Sequence, residues 1–158
     1  MTEDSRLQEE IRQIRPFRSV FQEGAIGLLR TADQVRTHFE RLLQPHGITL
    51  QQYNVLRILR GAHPEALPTM EIAVRMIECA PGITRLLDRL EKKELILRHR
   101  CAEDRRRVLC NVSEDALRLL EALDEPIAKA DEEVLGCLGQ AEAEELVRLL
   151  ERVRLAHA

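Results

Sequence analysis

The chain has no tryptophan, one tyrosine and three phenylalanines in 158 residues. Its interior must therefore be aliphatic, and 25 leucines supply it, a residue that favours helices. Lysine is nearly absent, 3 against 21 arginines. Cysteine is sparse: Cys79, Cys101, Cys110 and Cys137 form no C-x-x-C pair and no zinc spacing with histidine, so neither a disulfide framework nor a structural metal is expected. His38, His46, His63, His99 and His157 make no i, i+4 ligand pair. There is no Gly-rich phosphate loop and no G-x-S-x-G, which leaves no basis for an enzyme or a bound cofactor. No apolar run approaches membrane-spanning length. The opening MTEDSRLQEEIRQIR has acids where a signal peptide needs basic and then apolar residues, so a cytoplasmic protein without membrane contact is expected.

What is present is a domain-sized chain, 44% apolar, with a formal charge of -3. That total argues weakly against nucleic acid, but its distribution reverses the argument. Residues 1–84 are neutral, residues 85–107 carry a net +4, and residues 113–158 a net -7. A local basic island, not the total, governs contact with phosphates.

Phe17, Phe21, Gly24, Leu28, Ala32, Val35, Phe39 and Leu42 recur at steps of 3 or 4, the stripe of a long amphipathic helix ending near Gln44. A lead-in helix with Leu7, Ile11 and Ile14 precedes it, broken at Pro16. Thr49-x-x-Gln52 has the form of a capping box and opens a helix that stops at Gly61. Residues 61–68 read as a loop, with Thr69 capping a short helix through Ile72 and Met76. Pro81 suits the first turn of the next helix, whose Ile83, Leu86, Leu87 and Leu90 share one face. Residues 95–112 read as a β-hairpin, with Val108, Cys110 and Val112 on one side, and with Asp104, Arg105, Arg106 and Arg107 at or beside the tip. Ser113 caps a helix with the stripe Ala116, Leu120, Leu123, Ile127, Ala130 and Val134, in which Pro126 predicts a kink. A last helix carries Ala143, Leu146, Leu150 and Val153.

The fold class that follows is mainly α with a small β-hairpin wing: a winged helix-turn-helix flanked by terminal helices. Three parts follow in order: 1–46, 47–112 and 113–158. In such an arrangement the second helix of the turn enters the major groove and the hairpin reaches the backbone or minor groove. Arg85 and Arg89 lie one turn apart opposite the apolar face, and Thr84 is near the helix start. An arginine at a hairpin tip is narrow enough for the minor groove. A solvated surface helix of mixed charge would account for the same cations.

The residues GITRLLDRLEKKELILRHRCAEDRRRVLCNVSEDALRLLEAL, 82–123, resemble the recognition helix, wing and following helix of the multiple antibiotic resistance regulator (MarR) family without a gap. GITLQQYNVLRIL, 47–59, is similar to the helix ahead of them, and the likeness extends over about residues 20–155. It implies a transcriptional regulator, a repressor, acting as a homodimer on double-stranded DNA. Gly82, Thr84, Arg85, Arg89 and Lys92 would face the major groove. Arg105 or Arg106 would enter the minor groove with Arg107 beside them, and Asp104 would orient Arg106 by an ion pair. The sequence departs from the family at Glu94, where glycine is usual, which predicts a differently shaped helix end, and at Ser113, where threonine is commoner. Dimerisation through terminal helices agrees with the surplus of apolar stripe at both ends of the chain.

The resemblance also implies release from DNA by a small phenolic or aromatic acid, with Arg36, His38 or Arg57 to neutralise a carboxylate; a solvated or intrachain-paired side chain is the plainer account of each. Cys79 and Cys101 flank the DNA-contacting elements and are the candidates for a redox switch, although the first long helix has no cysteine. Cys101 and Cys110 fall out of register for a bridge, and Cys110 and Cys137 read as small packing residues. The reading from another class is a helical protein-interaction module that uses the acidic C-terminal half.

Overall fold

A computed structural model of the chain describes residues 5–78 and 82–156. The expectations for Cys79, Pro81 and His157 lie outside them. The chain divides into two units between Phe39 and Glu40, taken separately below.

The first unit holds α1 (Arg6–Glu10) and most of α2, which runs from Val20 to Leu43. The expected lead-in helix through Ile14 is shorter than its apolar spacing suggested. Ser5 makes no side-chain cap, the helix stops after five residues, and Arg12 at φ +52° turns the chain away, leaving Ile14 96% exposed. Phe17 likewise precedes α2. Helices this short have little cooperative stability of their own.

In the second unit the capping box forms as its sequence predicts. The Gln52 N–H donates to Thr49 Oγ1 at 3.2 Å and the Thr49 N–H donates to Gln52 Oε1 at 3.1 Å, which uses backbone donors otherwise left open at a helix start. This opens α3 (Leu50–Ala62), one residue longer than expected. A single 3-10 turn, Gln44–His46, and Gly47 at φ +68° join α2 to it. The expected loop 61–68 contains β1 (Leu67–Pro68), and α4 follows as Thr69–Arg75. Thr69 is therefore not a cap but the first helical residue; its hydroxyl donates to the Val108 carbonyl at 3.5 Å.

Next come α5 (Ile83–Lys92), β2 (Ile96–Arg100) and β3 (Val108–Val112). β1 completes an antiparallel sheet of order β1-β3-β2, with Leu67 opposite Cys110 and Cys110 opposite Arg98. Ser113 caps α6 (Glu114–Leu135) by accepting from the Ala116 N–H at 3.2 Å, and α6 continues through Pro126 as one helix. α7 is Gln140–Leu155.

One core gathers these pieces: Leu56 and Leu59 of α3, Ile72 of α4, Leu87 and Leu90 of α5, Ile96 and Cys110 of the sheet, and Leu120 and Leu123 of α6 are all buried. The predicted stripe of α6 is the one that packs. Cys110 belongs to this core, whereas Cys137, expected to pack, is exposed at the α6–α7 turn. Arg60 of α3 meets Asp124 of α6 through its two terminal nitrogens, Nη1 at 3.0 and Nη2 at 2.8 Å.

The end of α5 keeps the shape that glycine would give it. Glu94 sits at φ +59°, its N–H donates to the Glu91 carbonyl at 2.9 Å, and the Leu95 N–H donates to the Leu90 carbonyl at 3.0 Å. This is a Schellman closure with glutamate at the left-handed position. The expected change of shape does not occur, because the paired hydrogen bonds and the buried Ile96 beyond them dictate the turn. Left-handed backbone costs a side-chain-bearing residue about 1–2 kcal/mol, partly offset by the flexibility glycine brings to the unfolded chain. Glu94→Gly is accordingly expected to raise the unfolding free energy by up to about 1 kcal/mol. Urea titration checks it; a loss of stability would mean that the glutamate side chain makes a compensating contact.

Candidate nucleic-acid interface

Three faces of α5 divide its work. Leu86, Leu87 and Leu90 point into the core. Thr84, Arg85, Arg89 and Lys92 are exposed on the opposite side, and none of these three cations has an ion pair among the described residues. Gly82 at φ +105° starts the helix, with nothing within 4 Å of where a Cβ would stand; a side chain there would have room but strained backbone. The third face carries Asp88 and Glu91, and here the structure adds what the sequence did not announce. Arg98 of β2 donates from Nε to Glu91 at 2.9 Å and from Nη2 to Asp88 at 2.7 Å, and Nη2 also meets Glu91.

Alternation along β2 explains that contact. Ile96 and Arg98 share the inner face, so the Arg98 side chain is only 21% exposed and its guanidinium needs carboxylate partners. The hydrogen bond from Arg98, aided by its charge, holds the Glu91 carboxyl below the usual range, and Asp88 nearby opposes the effect. A carboxylate so lowered adds stability above its ordinary value and loses it as the pH falls through the lowered one. The brace should therefore persist at mildly acidic pH and release below the usual glutamate range. In an NMR titration, Arg98→Met is expected to move the Glu91 midpoint upward; an unmoved midpoint would contradict the pairing.

The wing tip is a tight turn. The Arg106 N–H donates to Asp104 Oδ1 at 3.0 Å, the Arg107 N–H to the Asp104 carbonyl at 2.9 Å, and Arg100 Nη1 to the Arg105 carbonyl at 3.2 Å. Asp104 thus orients Arg106 through the backbone, and the ion pair that the family likeness implied is not the contact formed. An aspartate bonds readily to the N–H two residues on, which leaves the guanidinium free. Arg105, Arg106 and Arg107 are exposed. Arg106 and Arg107 line, with Thr84, Met70, Glu71 and Arg98, an open groove of about 470 Å³ between α4, α5 and the sheet. Thr84 of the helix thus shares one concavity with the wing cations Arg106 and Arg107 and with Arg98. Neither spacing nor net charge marks Arg98 or Met70 in the sequence; for Arg98 the strand alternation with Ile96 is the one signal.

The remaining candidates are scattered. Arg36 reaches Asp33 at 3.5 Å on α2, the His38 ring stands edge-on to Phe39 with centroids 6.0 Å apart, and Arg57 is exposed on α3. Cys101 is half-buried at the base of the wing, and its N–H donates to the Arg107 carbonyl at 3.0 Å. Cys110 pairs with Arg98 in the sheet, so no bridge to Cys101 forms. Burial raises the Cys110 thiol above its ordinary value, which makes it a poor nucleophile. Among the described residues no cluster of His, Cys, Asp and Glu can hold a metal, and no helix is long and apolar enough to cross a membrane.

A buried helix-turn-helix, a second helix with an exposed cationic face and an arginine-tipped hairpin define a winged-helix protein. The MarR family model matches residues 48–108. The regulator FarR of Neisseria gonorrhoeae is 32% identical over 114 residues, covering 70% of this chain and 77% of FarR. The crystal structure of a MarR transcription factor from Planctomyces limnophilus is 42% identical, covers 85% of this chain and 98% of that one, and superimposes with a TM-score of 0.67. A MepR–DNA complex from S. aureus, 24% identical, covers 82% of this chain and 95% of its own with a TM-score of 0.75, and shares the fold. The chain belongs to the MarR family of transcriptional regulators. Its relatives are regulators, not enzymes.

Proposed function

We propose that the protein is a cytoplasmic repressor that binds double-stranded DNA as a homodimer. Thr84, Arg85, Arg89 and Lys92, with Gly82 at the helix start, read the major groove. Arg105 or Arg106 enters the minor groove, and Arg107 meets the backbone. The observation that carries this reading is the shared groove, in which Thr84 of α5 and Arg106 and Arg107 of the wing lie together, exposed and outside every ion pair given for the described residues. The S. aureus relative crystallised on DNA supports it.

The dimer reading rests on apolar side chains left exposed in each unit: Phe21 of α2 in the first, and Val147, Val153 and Leu155 of α7 in the second. Two-fold symmetry then calls for a pseudo-palindrome with half-sites about one helical turn apart. Release by a small aromatic anion completes the reading, with Arg36, His38 and Arg57 as the candidate cations; such a ligand must favour the form that does not fit DNA.

A gel shift over the intergenic DNA upstream of the gene, at two salt concentrations, tests it. Saturable binding to one palindromic site, weaker at the higher salt, is expected. No shift on that DNA, with a protein partner recovered instead, would replace this reading by the interaction module.

A further inference from the structure

The recognition helix carries two carboxylates, Asp88 and Glu91, among the cations meant for phosphates. On electrostatics alone they oppose DNA binding. Both are engaged by a single arginine from another element: Arg98 bonds Glu91 through Nε at 2.9 Å and Asp88 through Nη2 at 2.7 Å. The arginine stands on β2, directly before the wing turn, paired in the sheet with the buried Cys110. It also lines the groove that holds Thr84, Arg106 and Arg107. A planar guanidinium that spans two carboxylates one turn apart permits little rotation about the contact.

We infer that Arg98 is a positioning residue that locks the wing to the recognition helix through Asp88 and Glu91, setting the spacing of major-groove and minor-groove contacts without touching DNA itself. The inference builds on the DNA-binding reading above. It gives the two acids a role that their charge contradicts, since they serve operator binding by geometry while opposing it by sign. The lock is a planar polar contact at the edge of two elements that also pack through Leu87, Leu90 and Ile96. Its loss should free the hairpin without unfolding the core, where Leu87, Leu90 and Ile96 stay buried.

The sign of the charge separates this from the alternatives. The double variant Asp88→Asn, Glu91→Gln removes two negative charges beside the phosphates, and simple electrostatics predicts tighter binding. The lock predicts weaker binding, by roughly tenfold, comparable to losing one well-placed contact. Arg98→Met should lose a similar factor, and the triple variant should lose no more than Arg98→Met alone, because the three groups act as one unit. The slope of log affinity against log salt should stay unchanged in Arg98→Met; a fall of about one would make Arg98 a phosphate contact and overturn the inference. Tighter or unchanged binding by the double variant would overturn it as well.

Hydrogen exchange gives a readout that needs no DNA. Amides 101–107 should exchange faster in the double variant and in Arg98→Met, with exchange in α3 and α6 as in the parent, and unchanged wing exchange would sink the lock. Should Arg98→Met fail to fold, the double variant, altered only at half-exposed carboxylates, carries both measurements. A parent protein that bound no operator would defeat the DNA reading, and the exchange data would still decide whether the lock exists.

Discussion

Leu87→Ala is expected to lower the free energy of unfolding by about 2–5 kcal/mol. Leu87 is 0% exposed and lies between the core and the floor of the groove lined by Thr84 and Arg98. Truncation removes the transfer free energy of its lost carbons and leaves a void that the surrounding Leu56, Leu90 and Ile96 cannot fully close. The same change at Leu97, 60% exposed on the outer face of β2, should stay within about 0.5 kcal/mol. Urea unfolding of the two variants checks the pair. Equal losses would mean that the recognition helix is not seated on the core through Leu87. The groove makes the prediction functional too, because α5 can present its arginines at a constant depth only if its apolar face is fixed.

Arg106→Ala should weaken operator binding by about 1–3 kcal/mol while leaving the fold intact. The residue is exposed, and the turn that presents it is held by backbone bonds to Asp104 rather than by its own guanidinium. Arg118, paired with Asp115 on the surface of α6, is the matched control, and its alanine variant should bind normally. The Asp104 contact divides a turn from an ion pair. Asn retains an oxygen that accepts the Arg106 N–H, so Asp104→Asn should bind nearly as the parent does, whereas Asp104→Ala should approach the loss seen for Arg106→Ala. Equal damage from both substitutions would restore the ion-pair reading. Fluorescence anisotropy on a labelled operator measures all four variants.

Much of this was legible in order along the chain. The Thr49–Gln52 box, the Ser113 cap, the α6 stripe and the Val108, Cys110, Val112 alternation are local patterns, each governed by neighbours within one turn or one strand, and each appears in the structure at its expected place. The cations of the recognition helix and wing were legible for the same reason: residues opposite an apolar face must be exposed. What escaped was set by partners far away in sequence. β1 is two residues long and exists only because β3 offers an open edge. Thr69 was read as a cap because nothing local shows that Val108 would take its hydroxyl. Glu94 stands where the family has glycine, which predicts a changed helix end, yet the closure between Leu90 and Leu95 imposes the left-handed turn on it.

Periodicity and capping act over a few residues, so the longer helices, their apolar faces and the basic island on one helix and one hairpin can be read along the chain. That Thr84 shares a groove with Arg106 and Arg107, and that two acids on the same helix are held by Arg98, follows from the packing of distant segments. Ion pairs and strand edges depend on distances between residues 7, 10, 41 or 43 positions apart, and no local pattern encodes such distances; packing of the shared core does.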